Sequence, residues 1–371
     1  MTRRRPAHGL VLGKMYPPHI GHELLIRTAA HACDRVTVLV MAHPCESLPV
    51  DDRVGWLRRT LDDEPDVTIV GGTDPHRVDY DDPAVWDLHM AVFRSALATV
   101  TDVPVDAVFT SEPYGAELAR RFGAAAVTLD PGRALVPVSG RAVRADPVGC
   151  WEQLPPAVRG GLARRVVVVG AESTGTTTVA RRLADRLRGR GGAHGLTRWV
   201  PELGRDHTIA LLADLVAERA LAGRPPPTMD DLPWPTVEFV RIAEGQNALE
   251  DREAPLGGPV LVCDTDAFAT GIWHERYKGW AAPKVDALAR VHPLYLLTHH
   301  DGVPFEQDGI RDGEHFRAWM TDRFADAMAA TGRRHVVLRG PLAERVDAAE
   351  AAVDDLLAGG WGFTDPVTMS T

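Results

Sequence analysis

One lysine and two histidines, Lys14, His19 and His22, fall within the stretch Gly13-Lys14-Met15-Tyr16-Pro17-Pro18-His19-Ile20-Gly21-His22. An apolar run, Leu10-Val11-Leu12, precedes it and the helix-like Glu23-Leu24-Leu25-Ile26-Arg27-Thr28-Ala29-Ala30 follows, so the pattern predicts a strand, a turn and a helix start. A helix N-terminus offers unpaired N–H groups and the positive end of its dipole, and the lysine and imidazoles add further donors. Such a set suits a polyphosphate. It would stabilise charge that develops on an α-phosphate as pyrophosphate departs. A capping or surface role accounts for one histidine alone, but less well for both beside Lys14 and Gly21 at a strand-to-helix junction, where α/β sheets bind ligands. Among 41 basic residues only Lys14, Lys278 and Lys284 are lysines, which makes Lys14 less casual.

Nucleotidyl transfer also needs a grip on the far end of a triphosphate. Val138-Ser139-Gly140-Arg141-Ala142-Val143-Arg144 supplies a Ser139 helix cap followed by arginines in the first turn.

A second phosphate-binding pattern begins after the apolar run Arg165–Val169. Gly170-Ala171-Glu172-Ser173-Thr174-Gly175-Thr176-Thr177-Thr178 has P-loop spacing, with Thr176 where the loop's lysine is expected. Backbone N–H groups of this loop can still cradle phosphates, and the Thr177 hydroxyl can still face Mg²⁺. Pro201-Glu202-Leu203-Gly204-Arg205 and Cys263-Asp264-Thr265-Asp266 follow further strand-like runs. Acids at such strand ends sit beside a P-loop. Glu202 suits a proton acceptor, Asp264 a ligand for Mg²⁺ or its water, and Arg205 and Asp266 substrate contacts. Arg311, in the polar stretch Gln307–Asp312, suits a lid cation, and Gly340-Pro341 suits a backbone frame for an adenine.

Strand and helix patterns alternate from residue 10 to about 150 and again from 165 onward. The fold class expected is α/β, with two doubly wound parallel-sheet domains. The first, residues 1–158, is Rossmann-like, and the second, 163–371, is P-loop kinase-like. The proline- and glycine-rich Leu154–Gly161 reads as the boundary between them, and the tail after Gly359 as poorly ordered. At 371 residues the chain can bury two cores. A net charge of −10 argues against a nucleic-acid partner. No apolar run reaches membrane-spanning length, and the basic Thr2-Arg3-Arg4-Arg5 lacks the apolar region of a secretory signal. Cys33, Cys45, Cys150 and Cys263 form no close pair, as expected of reduced thiols in a cytoplasmic protein. Homo-oligomerisation is left open.

The first stretch resembles the G-K-x-x-P-x-H-x-G-H signature of nucleotidyltransferases, and Ser139 to Arg144 resembles the I-S-x-x-x-R motif of the same family. Phe109–Gly115 is similar to a loop that lies near the substrate base there. With the P-loop, P-E-x-G-R and D-T-D segments in that order, the chain resembles bifunctional NadR-type proteins over roughly residues 8–357. The resemblance implies a nicotinamide-nucleotide adenylyltransferase followed by a ribosylnicotinamide kinase. Both would use ATP and Mg²⁺, with nicotinamide mononucleotide and nicotinamide riboside as substrates. Trp56 and Trp86 then become candidates to stack on the nicotinamide ring. Two departures stand out: a first strand near residue 9 leaves no room for the helix-turn-helix of some members, and Thr176 replaces the lysine. An adenylyltransferase whose second domain only binds nucleotide, and a nucleotide-sensing regulator, are the competing readings.

Overall fold

The computed structural model describes residues 5–306 and 313–365, which divide into two compact units. The first comprises residues up to Leu162 together with the segment from Gly360 onward. Its elements run β1 (His8–Gly13), α1 (Ile20–Ala32), β2 (Arg35–Ala42), α2 (Val50–Thr60), β3 (Val67–Thr73), α3 (Pro83–Ala98), β4 (Ala107–Thr110), α4 (Gly115–Phe122), β5 (Ala125–Thr128), α5 (Gly140–Ala145) and α6 (Pro156–Leu162). The strands pair in parallel in the order β3-β2-β1-β4-β5.

Successive side chains of a strand point to opposite faces, and here both faces are covered. Val11 packs with Ile26, Val38, Leu57 and Phe109 on one face. Leu10 packs with Leu39, Trp86, Met90, Phe93 and Val108 on the other. Burying each such side chain stabilises the fold by roughly 1.5–3 kcal/mol before entropy is counted. These layers fix the strand ends at which the motifs lie.

Residues 154–161, read as the boundary, carry the start of α6, and the chain divides after Leu162. Pro156 occupies a helix start, where its missing N–H costs nothing. Gly161 leaves space for a ring: a Cβ there would lie 2.1 Å from Trp56. The glycines that read as punctuation are a packing surface for α2.

The second unit spans Ala163–Gly359. Its elements are β6 (Arg164–Gly170), α7 (Thr176–Gly189), β7 (Arg198–Val200), α8 (Leu203–Leu221), α9 (Thr236–Glu253), β8 (Val260–Asp264), α10 (Ala267–Lys278), α11 (Pro283–Asp286), β9 (Leu294–Thr298), α12 (Arg317–Ala330), β10 (His335–Leu338) and α13 (Leu342–Ala358). All strands are parallel in the order β10-β9-β6-β8-β7, so the P-loop leaves the central strand.

The tail also departs from expectation. Residues 360–365 belong to the first unit, not the second. Trp361 donates its indole N–H to the Leu162 carbonyl at 2.7 Å and packs beside Trp151. Among the described residues, no helix is long and apolar enough to cross a membrane.

Candidate active sites

In the first unit a cavity of about 500 Å³ opens at the C-terminal ends of β1 and β4, with Lys14, His19, Gly21, His22, Ser139 and Arg144 on its wall. The sequence stretch and the later arginine segment therefore meet. The His19 and His22 rings stack with centroids 3.7 Å apart. Gly21 keeps this stack uncrowded, since a Cβ there would lie 3.0 Å from His19 Nδ1.

Burial and the nearby Arg133 cation lower His19 to about 4. Burial, then His19 and Arg133, pushes His22 well below its ordinary value. Both rings are consequently neutral near pH 7. His22 Nδ1 accepts the His19 N–H at 3.2 Å, so the neutral ring carries its proton on Nε2 and remains a donor.

The cations are aimed by neighbours that sequence reading missed. Glu46 bridges Lys14 Nζ at 2.9 Å and Arg53 Nη1 at 2.7 Å. Arg53 also donates to the Lys14 carbonyl at 2.9 Å. Arg144 Nη1 donates to the Tyr16 carbonyl at 2.6 Å, and its guanidinium lies 4.9 Å from the Tyr16 ring centroid. Ser139 caps α5 by accepting the Ala142 N–H at 3.1 Å. Gly140 lets α5 lie against the backbone, because a Cβ would meet the Tyr16 carbonyl at 2.8 Å.

The two tryptophans separate. Trp86 lines the cavity, along with Thr110, Ser111, Glu112 and Tyr114 of the 109–115 segment. Trp56 does not. It is buried on α2 against Gly161, so it cannot stack on a ligand in this cavity. A buried pair, Asp74 and His89 (Oδ2 to Nδ1, 2.5 Å), underlies the same wall. Burial alone would raise Asp74, but the His89 ring and the His76 N–H hold it below the usual carboxylate range.

In the second unit a cavity of about 470 Å³ is lined by Gly170 through Thr178, Glu202, Arg205, Asp264 and Gly340–Leu342. Ser173 has φ 56° and Gly175 φ 86°, the left-handed geometry that curls the loop over the start of α7. Gly170 is sterically fixed, since a Cβ would come within 2.2 Å of the Thr298 hydroxyl. Two buried arginines brace the loop: Arg345, which also lines the cavity, donates from Nη1 to the Thr174 carbonyl at 3.0 Å, and Arg317 Nη2 donates to the Ser173 carbonyl at 3.1 Å. Glu172, besides lining the cavity, accepts the Gly313 N–H at 2.9 Å.

Asp264 ends β8 almost fully buried, and neither carboxylate oxygen has a well-formed hydrogen bond. Burial pushes it up to about 6, although the Thr177 and Thr176 hydroxyls lie close enough to pull the other way. Next to it Thr265 holds φ 72°, a costly conformation for a β-branched residue. Aromatic residues that the sequence did not announce line the same cavity as Glu202: Trp234, Phe239, Trp273 and Tyr277, with Trp234 stacked on Tyr277 at 5.5 Å.

Asp266 does not join this site. It caps α10 through the Ala269 N–H at 2.9 Å, accepts the Tyr295 hydroxyl at 2.9 Å, and is 1% exposed. Arg311 lies outside the described residues.

Residues 165–345 match a family described as AAA domain. Over 323 residues the chain is 25% identical to the trifunctional NAD biosynthesis/regulator protein NadR of Escherichia coli strain K12, covering 83% of this chain and 72% of that protein. The same protein of Salmonella typhimurium matches to the same extent, 25% over 323 residues. Two solved structures of NadR protein share the fold. The one in complex with NR is 20% identical with TM-score 0.65, covering 99% of each chain. The one in complex with NAD and AMP-PNP is 21% identical with TM-score 0.67, covering 95% of this chain and 96% of the other. Both phosphate-binding motifs lie in order on two such sheets, and over most of its length the chain is similar to these NadR proteins.

Proposed function

We propose that the first unit transfers AMP from ATP to nicotinamide mononucleotide, giving NAD and pyrophosphate, and that the second makes the mononucleotide by phosphorylating nicotinamide riboside with ATP. The observation that carries the reading is the convergence of Lys14, His19 and His22 with the distant Ser139 and Arg144 on one cavity.

In the first unit the 5′-phosphate oxygen of the mononucleotide attacks the α-phosphorus of ATP in line, and the bond to the β-phosphate oxygen breaks. The attacker is already anionic, so no general base is required. His22 Nε2–H and neutral His19 donate toward the reacting phosphates, while Lys14 and Arg144 hold charge on the departing pyrophosphate. Ser139 and Gly21 shape the backbone around it.

In the second unit Glu202 accepts the proton of the ribose 5′-hydroxyl as that oxygen attacks the γ-phosphorus, and ADP leaves. The buried, poorly bonded oxygens of Asp264 beside the Thr177 hydroxyl form an oxygen donor set that fits Mg²⁺. Mg²⁺ held there would offset phosphate charge. Nicotinamide riboside carries a pyridinium cation, which suits the Trp234–Tyr277 wall, and Arg205 stands on the same rim. In place of the absent lysine, Arg317 and Arg345 polarise peptide groups of the loop through the Ser173 and Thr174 carbonyls.

The test is purified protein with ATP, Mg²⁺ and either nicotinamide riboside or its mononucleotide. NAD from both supports the full reading. NAD from the mononucleotide alone reduces the second unit to nucleotide binding, and NAD from neither overturns the proposal. His22→Ala should lower adenylyl transfer by about 10²-fold or more with the fold intact.

A further inference from the structure

Tyr16 is 2% exposed although it belongs to the turn that carries Lys14 and His19, and much of what covers it comes from the end of the chain. The Phe363 ring meets it edge-on, with centroids 5.8 Å apart at 85°. Its hydroxyl donates to the Thr364 carbonyl at 3.0 Å. It accepts from the Ser47 N–H at 3.2 Å and pairs with Ser47 Oγ at 2.8 Å. Thr364 in turn donates its N–H to Ser47 Oγ at 3.1 Å and its hydroxyl to the Cys45 carbonyl at 2.8 Å, while accepting the Ser47 N–H at 2.9 Å. Every donor and acceptor in this knot can be satisfied at once, with the Ser47 N–H shared between two oxygens.

What the knot holds matters for chemistry. Residues 45–47 carry Glu46, whose carboxylate reaches Lys14 at 2.9 Å. Tyr16 offers its carbonyl to Arg144 at 2.6 Å and its ring to the same guanidinium. A second guanidinium, Arg53, lies 4.4 Å from that ring centroid, and Arg53 also binds Glu46. Thr364 thus fastens together the two segments that aim Lys14 and Arg144. Asp365 adds a negative charge that acts on Arg144.

We infer that Phe363 and Thr364 are positioning residues of the adenylyl-transfer site: the segment straps Tyr16 to Ser47, so that both phosphate-binding cations are held before ATP arrives. The inference rests on the adenylyltransferase reading. Preorganised donors act on the transition state more than on the bound substrates, so the effect should fall on kcat.

The experiment is steady-state adenylyl transfer by the full-length protein, by Thr364→Val, by Thr364→Ser, and by a chain stopped after Gly360, each checked by thermal melting. Thr364→Val should lose about tenfold in kcat, with KM for nicotinamide mononucleotide unchanged. Thr364→Ser, which keeps the hydroxyl, should stay within about twofold of wild type, and the shortened chain should lose at least as much as Thr364→Val. A merely structural role would lower the melting temperature without this split. Wild-type kinetics in both Thr364→Val and the shortened chain overturns the strap, and so does a loss that serine fails to restore. A wild-type protein with no adenylyl transfer overturns the underlying reading instead.

Discussion

Glu46 reaches Lys14 at 2.9 Å with a carboxylate that has no exposed surface, and Arg53 takes its other oxygen at 2.7 Å. A lysine stem has many rotamers, and this contact selects one. Replacing Glu46 by Gln keeps the shape but removes the charge that holds both cations. Adenylyl transfer, measured as kcat/KM, should fall about tenfold, while a kinase assay on the same protein stays at its wild-type rate. Unchanged kcat/KM would show that Lys14 needs no such guide.

The raised Asp264 gives the second site a pH signature. Burial places its pKa at about 6. Metal binding requires the ionised form, so Mg²⁺ must displace a proton below that value and not above it. Mg²⁺ affinity in the presence of a non-hydrolysable ATP analogue should be flat above about pH 7 and fall toward about tenfold per unit below pH 6. Calorimetric titration across that range checks it; a flat profile removes Asp264 from the metal site.

Thr176 tests whether the bracing arginines replace the lysine. Thr176→Lys restores the cation that normally bridges the β- and γ-phosphates. If Arg317 and Arg345 already supply what the loop needs, phosphorylation of nicotinamide riboside should change by less than about threefold. A rise of about 10²-fold or more would mean that the native loop works without an adequate substitute.

Glu250, on α9, is fully buried near Arg165 and His292, at 3.4 Å from each. Burial, then the Asp266 charge, pushes it up to about 8. The folded protein therefore keeps a proton that the unfolded chain releases near the ordinary carboxylate pKa. That contribution is complete at acid pH, declines as pH rises, and is lost through pH 8. Glu250→Gln, a mimic of the protonated acid, should melt increasingly above wild type as pH rises from about 5 to about 9. Thermal melts at several pH values decide it, and a constant offset would exclude the titration.

Where chemistry sits in adjacent residues, the amino-acid string announces it: Gly13 to His22 form one turn, and Gly170 to Thr177 another, because strand, loop and helix start are local. Trp56 and Trp86 show where that stops. Both are tryptophans on helices of the first unit, and the difference between core and cavity depends on Gly161, which sits against only one of them. Asp264 and Asp266 differ for a local reason. Asp264 ends the strand and faces the P-loop, while Asp266 caps α10, a role that an Asp three residues before Ala269 could have signalled. Glu46 and Tyr16 gave no signal, since their partners are brought together by tertiary packing after the neighbouring strands β1 and β2. The aromatic wall of the second unit was equally silent: its rings come from different helices and loops.

The Trp361–Leu162 hydrogen bond joins the two points at which the chain leaves the first unit and re-enters it. The kinase-like body is thereby an insertion, not an appendage, since both its ends are tied to one neighbouring pair of residues. During synthesis the first sheet emerges early, yet its last piece is translated only after all ten strands have been made. A ribosome-bound chain that has just finished the second unit would still lack Phe363 and Thr364 of the first. The unit whose first strand is translated first thus receives its last described residues only after the whole second unit has been translated.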